Sequence, residues 1–179
     1  MYVREARPQT GSFEDLAMPL FDQLYNFAHW LTHDRVEAED LVQETYAKAL
    51  RGFSSFAPGT NFRAWMYRIL RNTFLTTRTG LKATSTVPLD TDDEGPELAV
   101  TPETPETILL ERANQQLVRE ALEELPPPFR EILLLCEVEE MSYQEIGEAL
   151  SIPLGTVMSR LSRARADLRK RLLPKLARG

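Results

Sequence analysis

One cysteine, Cys136, is all that 179 residues provide, so no intramolecular disulfide staples the fold. Set in the apolar run Ile132-Leu133-Leu134-Leu135-Cys136, it reads as a small buried hydrophobe, with no basic neighbour in sequence to lower its pKa and mark it as a redox sensor. Long hydrophobic stretches are missing too. None approaches the ~20 apolar residues of a membrane span, and no basic segment followed by an apolar core opens the chain. These absences predict a cytoplasmic protein without membrane insertion. The only two histidines, His29 and His33, stand at i and i+4, but no Glu follows His29 and no cysteine is near, so they read as surface or interface residues and no metal site is expected. The chain also lacks a nucleophile with its base, a phosphate-binding loop and a metal cluster, which argues against an enzyme and calls for no cofactor.

Charge is plentiful but uneven. The net charge is -6, the wrong sign for a nucleic-acid binder taken whole. Residues 62–82, however, carry five basic and no acidic side chains, and residues 142–179 carry eight basic against three acidic. Residues 83–111 reverse this, with eight acidic and no basic side chains. Two basic segments predict two nucleic-acid contact sites, while the acidic remainder faces a protein partner or repels stray DNA. A hydrophobic content of 42% supplies one medium core or two small ones.

Between Met141 and Leu172 the pattern turns helical twice. Tyr143, Ile146, Ala149 and Leu150 recur at helical spacing, and Ser142 with Glu145 three residues on forms the capping box of a short first helix. Pro153 removes a backbone donor and biases Ile152 towards extended geometry, so the chain turns over residues 151–155. A second helix then runs from Gly155 or Thr156 towards Leu172, with Val157, Leu161, Ala164 and Leu168 on its seam. Met158, Ser159, Ser162, Arg163, Ala166 and Arg169 lie largely off that seam. The plain alternative is an amphipathic helix with a solvated basic face. Short helix, proline-marked turn and longer basic helix together make a helix-turn-helix, whose second helix offers arginines to guanine edges or phosphates.

The phrase SYQEIG at 142–147, followed by IPLGTVMSRLSRAR at 152–165, resembles the C-terminal domain of extracytoplasmic-function sigma factors, the small two-domain sigma subunits of bacterial RNA polymerase. That resemblance implies that Thr156, Met158, Ser159, Arg160, Ser162, Arg163 and Arg165 contact the upstream promoter element as duplex. Upstream in the chain, Arg35 to Leu50 is a helix by periodicity, with Val36, Ala38, Leu41, Val42, Thr45 and Ala49 as buried positions and an acidic outer face. Its stretch AEDLVQE at 38–44 resembles the family's grip on the clamp helices of the polymerase largest subunit. By that likeness Glu39, Asp40, Leu41, Gln43 and Glu44 bind core polymerase.

From Ser12, Phe13, Leu16, Leu20, Leu24, Phe27 and Leu31 recur every three or four residues, interrupted by Pro19, which kinks or divides the segment. Residues 53–61, with Pro58-Gly59, read as a loop; the resemblance implies that it helps to hold a base flipped from the non-template strand. The helix from about Asn61 to Thr79 has Phe62, Trp65, Met66, Ile69, Leu70 and Phe74 for a core and Arg63, Arg68, Arg71, Asn72 and Arg78 outside. Cations interleaved with aromatics suit single-stranded DNA, each stacked base contributing ~1–3 kcal/mol. FRAWMYRILRN at 62–72 also resembles the family's promoter-melting segment, which implies downstream-element and single-strand contacts for Asn61, Arg68, Arg71, Asn72 and Thr76 and a core role for Trp65.

Residues 83–106, with four prolines and the run Asp90-Thr91-Asp92-Asp93-Glu94, read as a flexible acidic linker. Extended, it reaches roughly 80 Å, about two turns of B-DNA at ~34 Å each. From Thr107, Ile108, Leu109, Ala113, Leu117, Ala121 and Leu122 make another helix, stopped by Pro126-Pro127-Pro128; Phe129, Ile132, Leu133, Leu135 and Cys136 make a core helix that ends before Met141. The expected protein is all-α, with two small helical domains joined by that linker. Residues 1–11 form a flexible arm, 12–82 a domain resembling sigma region 2, and 107–179 a domain resembling sigma region 4. The resemblance implies an alternative sigma factor, with the second domain packed on the flap of the second-largest subunit and an anti-sigma protein as a further partner, in the manner of stress responses. The rival from another class is an autonomous helix-turn-helix regulator, which predicts neither the basic-aromatic helix nor the acidic linker.

Overall fold

A computed structural model of the chain describes residues 11–79 and 115–178. The expected arm, the acidic linker and the residues 107–114 that were to begin the next helix, Ile108, Leu109 and Ala113 among them, lie outside the described residues. Within those described, all regular structure is helical, and it gathers into two compact units, one containing residues 11–79 and the other residues 115–147 and 152–178.

The first unit begins with a reciprocal cap. The Ser12 hydroxyl accepts from the Asp15 N–H, and the Asp15 carboxylate accepts from the Ser12 N–H, both at 3.3 Å, starting α1 (Phe13–Ala17). Pro19 then divides the apolar pattern: it sits in a 3₁₀ turn, Met18–Leu20, ahead of α2 (Phe21–Thr32). α2 stops where His33 adopts a φ of 55° and its amide donates to the His29 carbonyl at 2.8 Å. His33 is therefore past the helix end, and the i, i+4 spacing of the histidines does not place them on one helical face. Asp34 caps α3 (Arg35–Gly52) by accepting from the Glu37 N–H at 2.9 Å.

Ala38, Leu41, Val42, Thr45 and Ala49 form the buried seam of α3. The Thr45 hydroxyl donates to the Leu41 carbonyl at 2.7 Å, so its burial leaves no orphaned polar group. Val36, expected in this seam, is 65% exposed: two residues before Ala38 puts it about 200° round the helix. α3 packs against α2 and against α4 (Phe62–Thr79). α4 buries Phe62, Met66, Tyr67, Leu70 and Thr73, with Tyr67 meeting Phe27 edge-on at 5.3 Å.

Phe62 also sits in an aromatic cluster, edge-on to Phe13 at 6.3 Å, Phe53 at 6.2 Å and Phe56 at 5.3 Å. Each such pair adds about 0.5–1.5 kcal/mol beyond its buried area, and together they anchor the segment linking α3 to α4. The Tyr46 hydroxyl ties α3 to the end of α1, donating to the Ala17 carbonyl at 2.6 Å.

In the second unit, α5 (Gln115–Glu124) and α6 (Pro127–Leu133) meet at the three prolines. Pro127 starts α6, where a missing N–H is tolerated. A π-turn, Leu134–Val138, prolongs α6, and Ile132, Leu133, Leu134 and Leu135 are all buried. Arg130, 9% exposed, points back at the end of α5. Its Nε donates to the Leu122 carbonyl at 2.9 Å, and Nη2 to the Glu123 and Leu125 carbonyls at 2.6 and 3.1 Å. One cation thus bonds three carbonyls at the helix C-terminus, of which Leu122's also accepts from the Leu125 N–H at 3.2 Å, and sits at the negative end of the dipole. Burial pushes the guanidinium pKa down and the neighbouring Glu123 raises it again. α7 (Tyr143–Leu150) and α8 (Leu154–Ala177) complete the unit, and α8 packs along α5 and α6.

Candidate nucleic-acid interface

The helix-turn-helix is closed at both ends of α7. The Glu145 carboxylate accepts from the Ser142 N–H at 2.9 Å and the Ser142 hydroxyl accepts from the Glu145 N–H at 3.1 Å, the capping box expected from the sequence. At the other end Ser151 takes a left-handed φ of 56°, and the Ile152 N–H donates to the Gly147 carbonyl at 3.0 Å, a Schellman closure. The turn presses on α7 so closely that a Cβ at Gly147 would lie 3.0 Å from the Ile152 carbonyl oxygen; glycine is required there by the approach of backbone to backbone. Pro153 caps α8 in extended geometry, so α8 begins at Leu154, slightly before the expected start.

The seam of α8 is Val157, Leu161, Ala164, Leu168 and Leu172, each no more than 1% exposed. Arg160 joins it: at 7% exposure its side chain is withdrawn from the surface, because position 160 falls beside Val157 and Leu161 at helical spacing. That corrects its expected place among base-contacting residues. Arg165 is also engaged, with Nη2 3.1 Å from the Glu137 carboxylate and 3.6 Å from the Cys136 sulfur. Cys136 is half-buried and has a cation against it, contrary to the expectation of an apolar thiol with nothing basic nearby. Of the remaining residues, Met158 is exposed and Thr156, Ser159, Ser162 and Arg163 are half-buried. The Ser159 hydroxyl donates back to the Thr156 carbonyl at 3.2 Å.

On α4, Arg68, Arg71 and Asn72 fall opposite the buried Met66, Leu70 and Thr73; Arg68 and Arg71 are half-buried, and Asn72 and Thr76 are exposed. The Thr76 hydroxyl donates to the Asn72 carbonyl at 2.8 Å. Arg78 lies over the Phe74 ring at 4.8 Å, a cation–π pair that holds a guanidinium flat against the helix. No carboxylate lies between residues 62 and 82, so this face is uniformly positive. Asn61, expected to contact DNA, is half-buried, and its side-chain carbonyl accepts from the Ala64 N–H at 2.9 Å, making it the cap of α4. Trp65, expected in the core, is half-buried and leans on Phe56 and Phe62, centroids 5.1 and 5.6 Å apart. In the loop before α4, Phe56 is buried while Ser54, Ser55 and Thr60 remain exposed.

The acidic face of α3 presents Glu37, Glu39, Asp40, Gln43 and Glu44, all exposed. Glu39 accepts from Arg35 at 3.1 Å, which raises the Arg35 pKa, and Glu44 lies 3.4 Å from Lys48. Leu41, expected on the same contact surface, is 7% exposed and belongs to the α3 seam; it shapes this face from below. His29 is exposed and stacks on Tyr25 with centroids 6.5 Å apart. Among the described residues no three of His, Cys, Asp and Glu group as metal ligands, and no helix is long and apolar enough to cross a membrane. Sequence patterning missed Tyr67 and Thr73 as core, Arg130 as a helix cap and Leu154 as an exposed residue of α8; only the last left a signal, an apolar residue outside the seam.

Known proteins carry the same two segments. The family described as Sigma-70 region 2 matches residues 16–83, and the one described as Sigma-70, region 4 matches residues 115–168. The chain is 36% identical to the ECF RNA polymerase sigma factor SigE of Mycolicibacterium smegmatis over 88% of its own length, spanning 60% of that longer relative. It is 34% identical to the ECF RNA polymerase sigma factor EcfG of Rhodopseudomonas palustris, covering 90% of this chain and 85% of that protein. Among solved structures, the sigma factor RpoE of Bartonella quintana, crystallised in complex with the anti-sigma factor NepR, is similar at a TM-score of 0.65. The two share 30% identity, over 89% of this chain and 97% of that one.

Proposed function

The chain belongs to the extracytoplasmic-function sigma factors of the sigma-70 family, and from that premise we propose that it recruits bacterial core RNA polymerase to a set of promoters and helps to open them. Residues 12–82 form the domain that grips polymerase and the downstream element, and residues 107–179 the domain that reads the upstream element, with the acidic stretch 83–106 between. Asp40 and Gln43, flanked by Glu39 and Glu44, bind the clamp of the largest subunit; the second domain docks on the flap of the second-largest. Arg68, Arg71, Asn72 and Thr76 hold unpaired bases and backbone of the downstream element. Thr156, Met158, Ser159, Ser162 and Arg163 face the upstream duplex. Opening is driven by binding: unstacked bases gain stacking and ionic contacts that the duplex cannot make, so no bond chemistry is needed.

The observation that carries this reading is the pairing, in one chain, of a closed helix-turn-helix with α4, a helix whose outer face bears arginines and no carboxylate. A regulator that acts alone on duplex DNA has use for the first and none for the second. An anti-sigma protein that covers the polymerase-binding face completes the picture of a cytoplasmic factor held inactive until a stress releases it; the Bartonella quintana relative forms a complex with an anti-sigma factor.

The test is transcription in vitro with core polymerase on a pool of promoter fragments, with and without the chain. Initiation from a defined subset supports the reading. Tight duplex binding by the chain alone, without initiation, replaces it with the autonomous regulator.

A further inference from the structure

Leu154 and Met158 are each 54% exposed. They stand four residues apart and so lie one above the other on α8. Pro153, which caps α8, and the Schellman closure at Ser151 fix the backbone that carries them, and Val157, fully buried between them in sequence, holds that backbone to its own unit. Covering two neighbouring side chains of this size is favourable for a partner that meets them with apolar atoms. Charge indicates which. From residue 149 to residue 166 the chain carries no carboxylate, and Arg163, half-buried on the same helix, adds a cation, a surrounding that suits a polyanion. A major groove offers one apolar group among its polar edges, the C5 methyl of thymine.

We propose that Leu154 and Met158 are specificity-determining residues that pack against thymine methyl groups in the upstream element, resting on the duplex-reading role assigned to α8 above. Leu154, branched and at the first helical position, makes a fixed contact. Met158, unbranched and flexible, follows the methyl of a neighbouring step. The polar residues and Arg163 then set register, while the apolar pair distinguishes T·A from its alternatives without a hydrogen bond.

The experiment uses polymerase carrying the full chain and a duplex fragment bearing the upstream element of a promoter from which it initiates. Thymines of that element are replaced by deoxyuridine, which keeps every hydrogen-bonding edge and removes only the methyl. Each contacted methyl lost weakens binding about four-fold. Leu154→Ala/Met158→Ala binds the thymine duplex more weakly and shows no further loss on uracil, whereas Met158→Leu retains the uracil penalty. Equal affinity of the unaltered protein for thymine and uracil duplexes overturns the proposal and leaves duplex reading intact. So does a uracil penalty that persists in the double variant, or an element without thymine on either strand. Failure to bind any promoter duplex more tightly than random DNA removes the duplex-reading role itself, and this proposal with it.

Discussion

Replacing Arg130 by Met keeps the length of the side chain and removes the cation that closes α5. The carbonyls of Leu122 and Leu125 accept its hydrogen bonds in buried surroundings, at 2.9 and 3.1 Å, whereas Glu123 is exposed and its carbonyl can turn to water. The Leu122 carbonyl keeps a second donor, the Leu125 N–H at 3.2 Å, so one buried acceptor, the Leu125 carbonyl, is left open, for an expected loss of about 2 kcal/mol. The returned desolvation of the guanidinium reduces this, and the lost interaction with the α5 dipole adds to it. The molecule has a built-in control. Both tryptophans, Trp30 and Trp65, lie in the first unit, so tryptophan fluorescence follows that unit while far-UV circular dichroism follows both. In urea, Arg130→Met shifts the dichroism transition of the second unit to lower concentration and leaves the fluorescence transition in place. Arg130→Lys, with one ammonium in place of the fork, falls between. A loss below about 1 kcal/mol in the second unit would refute the capping role.

The Tyr46 phenol is pushed up to about 12 from 10.0 by burial and, after that, by Asp22. A folded pKa above the unfolded one makes its contribution complete below pH 10 and lost as pH rises towards 12, so the first unit weakens over that interval; Tyr46→Phe removes this part of the alkaline slope, read by tryptophan fluorescence. Arg163→Ala weakens binding to the cognate upstream element by ~1–3 kcal/mol if the side chain reads a base; in competition assays, equal losses on cognate and random duplexes take Arg163 out of the readout. Asp40→Ala and Gln43→Ala each lower affinity for core polymerase about tenfold, measured by titration of labelled chain, while the urea midpoint stays unchanged because both side chains are exposed; unchanged affinity removes them from that contact.

The local devices were legible from sequence because each is written in a few adjacent residues. Ser142 and Glu145 cap α7 reciprocally, Pro19 divides the first apolar pattern, and Pro153 marks the turn, all through steric or hydrogen-bonding rules that need no tertiary partner. Errors arose where packing around the helix decides. Val36 and Leu41 are both apolar, yet about 100° per residue sends one to solvent and the other into the seam. Arg160 and Arg163 share a residue type, yet one lies against the seam and the other away from it. Arg165 meets Glu137 and Cys136 from 28 and 29 residues away, and Arg130 reaches across a corner to carbonyls that have no sequence identity at all. Asn61 illustrates the remaining class: the polar side chain that makes it a candidate for a base also makes it a helix cap, a use that its place immediately before α4 gives it in the fold.

Among the described residues, three corners turn through left-handed backbone at residues other than glycine: His33, Glu140 and Ser151, with φ of 55°, 52° and 56°. Such geometry costs a side-chain-bearing residue roughly 1–2 kcal/mol that glycine escapes, offset in part by the entropy glycine adds to the unfolded chain. All three lie at helix exits, and each side chain is exposed. The fold therefore stands below its own ceiling of thermal resistance, with its slack stored in three surface corners, clear of every buried seam.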